Sequence, residues 1–156
     1  MYPAILLLLA VASRVAAQPA IVTGLEVLTV EGTPLAQMPV PHDTEVCLHW
    51  QHSVTFGKVI DCFVIQAGQM ILTRSYLHDF AAGLGHLPER GQQRPAERGG
   101  YWIEAINEAV PGNRLLLRVG SPQVGHRLHV GNRMVDLSAV AAGQRLILRP
   151  MVILDG

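Results

Sequence analysis

Runs of strand length, rich in apolar and β-branched residues and punctuated by Gly, Pro and Asn, constrain this chain more than any other feature. They are Leu25 to Val30, Glu45 to Val54, Lys58 to Gln66, Met70 to Leu77, Tyr101 to Ile106, Arg114 to Val119, His126 to Val130, Met134 to Leu137 and Arg145 to Leu154. No long stretch carries a helical period with a cap at each end, so helix is expected to be minor. Ala67-Gly68 and Gly131-Asn132 each separate two such runs and read as two-residue hairpin turns. The pattern predicts an all-β domain, an antiparallel β-sandwich or partly open barrel of about nine short strands. One region breaks the rhythm. Ala81 to Gly100, with the sequence AAGLGHLPERGQQRPAERGG, holds almost no large apolar residue and is expected to form one long irregular loop. Within it, Glu89 to Gly99 has the composition of a solvated linker, and Phe80 to Leu87 stays open to function.

The 156 residues are 49% hydrophobic and 15% charged, which allows a core and argues against disorder. Twelve Lys plus Arg balance twelve Asp plus Glu, so no long-range field exists to hold nucleic acid or an anionic membrane. Met1 to Ala17 has the layout of an export signal: an apolar run from Ile5 to Ala12, then the small residues Val15-Ala16-Ala17 before Gln18-Pro19. The run is far shorter than the roughly 20 residues of a membrane span. Cleavage after Ala17 would leave residues 18–156 as a single β domain, near neutral, without a membrane span, in the periplasm or secreted.

Cys47 and Cys62 are the only cysteines. In an oxidising compartment an even count favours a disulfide over a metal site or a reactive thiol. A hairpin centred near Val54 and Thr55 sets Cys47 opposite Cys62. Gly57 in the left-handed position of a three-residue loop would instead shift the pairing and separate them. Centring the next turn on Ala67 and Gly68 places Asp61 opposite Arg74 as a cross-strand ion pair. Val46, Leu48, Trp50 and His52 would then share a face with Val59, Asp61, Phe63, Leu72, Arg74 and Tyr76.

Seven histidines invite a metal reading, yet His49 and His52, like His126 and His129, lie three apart and point to opposite faces of a strand. Only His78 and His86, near the loop, keep that option alive, and neither a metal nor another cofactor is expected. A Ser-His-Asp hydrolase built on His52, Ser53 and Asp61 lacks a Gly-x-Ser-x-Gly elbow, and His52 and Ser53 face opposite ways. His52 reads better as a hydrogen-bonded histidine at the end of a core strand. The basic residues are eleven Arg and the single Lys58. Arg74, Arg118 and Arg127 gathered in a cleft could grip a small carboxylate, though Arg-rich codon usage explains the excess as well.

Leu48-His49-Trp50-Gln51-His52-Ser53-Val54, with Val59 and Asp61, Leu72-Thr73-Arg74 and Asp79-Phe80-Ala81-Ala82-Gly83-Leu84, resembles the domain of unknown function 1850 family of exported bacterial proteins. Its members share a His-Ser-Val motif, a following acidic residue and a Gly-Ala-Gly-Leu-Pro-like turn. On that resemblance His52, Ser53 and Asp61 take the family's polar positions, and Gly83 and Leu84 its turn; Ala81 and Gly85 depart from its Gly and Pro. Genes of the family often neighbour TAXI-type TRAP transporter fused permeases. The resemblance therefore implies a non-enzymatic accessory that contacts the permease or its solute-binding protein, through His52, Ser53, Asp61, Arg74, Gly83 and Leu84. A module binding an organic acid is the second reading, and a hydrolase or metal enzyme the third.

Overall fold

The computed structural model describes residues 21–79 and 89–154. The export signal, Gly83 and Leu84 lie outside that range. In chain order the elements are β1 (Ile21–Thr29), β2 (Pro34–Pro39), β3 (Val46–Gln51), β4 (Lys58–Gln66), β5 (Gln69–Leu77), β6 (Gln92–Pro95), β7 (Tyr101–Glu104) and β8 (Glu108–Ala109). A 3-10 turn (Pro111–Asn113), β9 (Leu115–Arg118), β10 (Arg127–Val130), β11 (Arg133–Asp136), the short helix α1 (Leu137–Ala141) and β12 (Arg145–Leu154) follow.

Two antiparallel sheets pack face to face without closing into a barrel, which makes the expected all-β domain a sandwich. The smaller has the order β2-β1-β12-β9; the larger runs β11-β10-β3-β4-β5-β7-β6, with β8 also on β5. Alternation decides what each layer buries. Leu25, Val27, Leu146 and Leu148 come from the smaller sheet and Val46, Leu48, Phe63, Met70, Leu128 and Val130 from the larger to form the main core. At one end Leu77, Tyr101, Ile103 and Ile106 make a second cluster.

The first hairpin takes the register centred on Val54 and Thr55. Gln51 faces Lys58, Cys47 faces Cys62, and the cysteines form a disulfide with Cα atoms 4.1 Å apart. Phe56, not Gly57, adopts positive φ in this loop. Gly57 is crowded instead: a Cβ there would meet the Asp79 carboxylate, which would have to shift.

The second hairpin departs from expectation halfway along. Ala67 and Gly68 both take positive φ, as a type I′ turn demands, and set the register from Gln66 opposite Gln69 to Phe63 opposite Leu72. There the ladder slips, and Cys62 faces Arg74 while Asp61 faces Ser75. Thr73 is the extra residue of this β-bulge. Its hydroxyl donates to the Cys62 carbonyl at 3.0 Å, and its own carbonyl accepts the Ile106 N–H at 2.9 Å. A one-residue slip exchanges the faces of everything beyond it. Ser75 and Leu77 turn inward, whereas Arg74 and Tyr76 turn outward, so the expected Asp61–Arg74 ion pair does not form.

Sequence Ala81 to Gly100 also needs correction as one irregular loop. Gln92–Pro95 forms the edge strand β6 against β7, with every side chain exposed and Arg94 paired to Glu104 at 2.8 Å. An edge strand lives on main-chain hydrogen bonds and requires no apolar face.

Candidate functional site

The residues singled out by sequence separate into three places. His52 follows β3 and turns its ring back on the loop, where Nδ1 accepts the Val54 and Thr55 N–H groups, both at 3.3 Å. Its backbone N–H donates to Gly57 O and its carbonyl accepts from Phe56, both at 2.9 Å, so His52 ties the hairpin end together. Ser53 is exposed in the same loop.

Asp61 sits on the inner face of β4, half-buried. Its Oδ1 accepts the Ser75 hydroxyl at 2.6 Å and its Oδ2 accepts the Trp50 indole N–H at 3.3 Å. Both donors are neutral. The three side chains floor a cavity of about 360 Å³ between the sheets, walled by Phe63, Leu72, Leu77, Ile103, Val110 and Leu115. Arg90 and Glu108 also line it, joined by two parallel hydrogen bonds of 2.8 and 2.9 Å. That pairing lowers the Glu108 carboxyl below its usual range and raises the Arg90 guanidinium above its own.

Arg74 lies on the opposite face of the larger sheet. Its guanidinium grips both carboxylate oxygens of Glu45, with Nε to Oε1 at 3.0 Å, and lies 4.6 Å above the Trp102 ring. Tyr76 packs beside Trp102 with ring centroids 5.4 Å apart. Arg127 is engaged by Asp136 at 3.1 Å, and Arg118 stands in the smaller sheet opposite Arg145. The three arginines of the carboxylate reading are therefore not gathered in one cleft.

Two histidine contacts could not be read from spacing along one strand. His49 of β3 and His129 of β10 pack against each other across adjacent strands, their rings tilted and the centroids 4.1 Å apart. Buried His126 stacks on Trp50 at 5.9 Å, and its Nδ1 accepts the Gly120 N–H at 3.0 Å. Among the described residues, one cluster offers three metal-capable groups, Glu45 with Cys47 and Cys62. Its two sulfurs are already bonded to each other.

Burial drives the titration of these rings. It holds His49 down to about 4, helped by His129 and Lys58, and it lowers His126 and His129 as well, the latter helped by Arg127 and Lys58. The unfolded chain, whose histidines titrate near 6.5, thus binds more protons than the folded one in acid. This stabilisation is full above about pH 7 and is lost as pH falls through about 6.5 towards 4. The melting temperature should drop between pH 7 and pH 5, and less steeply in His49→Gln. A flat profile over that interval would contradict the assignment.

Sequence reasoning missed Glu45, Ser75, Arg90 and Glu108. No local signal marks them, because the bulge at Thr73 and pairings distant in sequence bring them to their positions.

Compared with known protein families, residues 46–137 match the model described as Domain of unknown function (DUF1850). No curated protein and no solved structure matches the chain.

Proposed function

Because the chain belongs to the family Domain of unknown function (DUF1850), whose model covers more than half of it, we propose that it is an exported, non-enzymatic accessory of a TAXI-type TRAP importer, acting by protein contact. Two features support the export half. The N-terminal segment has a signal-like layout, and a disulfide joins β3 to β4, which suits an oxidising compartment.

One observation carries the contact half: Arg74, Tyr76 and Trp102 assemble half-buried on the outer face of the larger sheet, Arg74 fixed by Glu45 and Tyr76 by the Gly99 carbonyl. Arginine and aromatic side chains of this kind dominate binding energy at protein interfaces, because they offer a large area at little further ordering cost. Of the four described residues in the patch read from the sequence, Arg74 lies on this face. His52 and Ser53 belong to the loop beyond β3, and Asp61 opens to the interior. The partner would be the importer's permease or its solute-binding protein.

Affinity capture with the tagged full chain from native membranes tests this reading. The permease or its binding protein should be recovered, and Trp102→Ala should reduce recovery at least tenfold. Recovery of neither, with solute uptake unchanged after deletion of the gene, overturns the proposal.

A further inference from the structure

We infer that the cavity between the sheets binds a small molecule with a compact apolar body and a protonated amine. The inference is independent of the importer reading and concerns the other face of the larger sheet. The cavity, about 360 Å³ and open to solvent on one side, is set apart by its lining, which is mainly aliphatic and aromatic. Its size and lining, apolar walls with a few convergent polar groups, match those of small-molecule sites.

Charge selects the ligand. Arg90 directs two N–H groups at the two oxygens of Glu108, and the pair is internally neutral. Asp61 has no such partner: among the described residues no cation lies within ion-pair distance of it, and its two hydrogen bonds come from an alcohol and an indole. Those bonds orient the carboxylate without cancelling its charge. Each oxygen keeps a lone pair for a further donor. Arg90 also attracts Asp61 from a distance, yet two carboxylates face one guanidinium among the described lining residues, so the cavity keeps a net negative charge against an apolar wall. A ligand carboxylate would be repelled there, a neutral alcohol would gain only a hydrogen bond, and an ammonium would gain both a hydrogen bond and charge neutralisation.

Calorimetric titration of the full chain with benzylammonium, benzyl alcohol and phenylacetate varies the head group while keeping the ring. Benzylammonium should bind at least tenfold more tightly than benzyl alcohol, and phenylacetate least. Asp61→Asn should reduce benzylammonium affinity at least tenfold and leave benzyl alcohol unchanged. Circular dichroism reports whether that variant is folded. Glu108→Gln provides a second test, since freeing the Arg90 charge at the cavity should also weaken benzylammonium. Preference for phenylacetate, undiminished benzylammonium binding by a folded variant, or no heat from any of the three overturns the inference.

Discussion

Replacing Cys47 and Cys62 together with alanine should lower the melting temperature by about 10 °C. The bridge spans 15 residues, and tying a loop of that size removes enough freedom from the unfolded chain to stabilise the fold by about 3 kcal/mol. At this chain length each kcal/mol moves the midpoint by roughly 3 °C. The folded side of the equilibrium changes in the same direction, because Cys62 is 1% exposed and its sulfur fills space within the layer. Reductant supplies the control. It should reproduce the loss in the parent protein and leave the double variant unmoved in a thermal scan. A variant melting within about 2 °C of the parent would show that the hairpin is already fully ordered by its neighbours in the unfolded chain.

Leu128→Ala should cost about 3 kcal/mol, within the range of roughly 2 to 5 found for truncated core leucines. Leu128 is fully buried on β10, opposite Leu48, in the cluster where both sheets interdigitate. Two strongly hydrogen-bonded ladders resist collapsing into the space left behind, so the void should persist. Leu116→Ala is the matched contrast. That side chain is 71% exposed on the edge strand β9, and its loss should change stability by less than about 0.5 kcal/mol. Urea midpoints for the two variants check the pair. Equal shifts would mean that the sandwich interior is not the one described.

β4 and β12 bury residues on both faces and were legible as apolar runs of strand length bounded by turn residues. β4, Lys58–Gln66, and β12, Arg145–Leu154, have the bounds their sequence pattern predicts. β2, β6 and β8 were not legible, for separate reasons. β2 begins and ends with proline, β6 exposes all four residues, and β8 is two residues long. The candidate site divides the same way. Asp61 could be placed on an inner face by counting from the first hairpin, and the Cys47–Cys62 pairing followed from that count. Its partner could not, because the bulge at Thr73 depends on a carbonyl that accepts the N–H of Ile106, 33 positions further along. A hairpin carries no local record of a contact made by a later segment, and every residue beyond Thr73 on β5 was assigned to the wrong face for that reason.

The pairing of β1 with β12 sets a schedule for maturation. Ile21 lies beside Leu154, and Glu26 is held by Arg149 across 123 positions of chain. The central ribbon of the smaller layer thus joins the first described segment to the last. β3, β4 and β5 can zip through short turns, whereas β1 must wait, its greasy side uncovered, for a partner more than a hundred positions away. A fragment lacking β12 would display the open edge of β1 to chaperones and proteases, so the smaller layer is protected only when both of its distant segments are present.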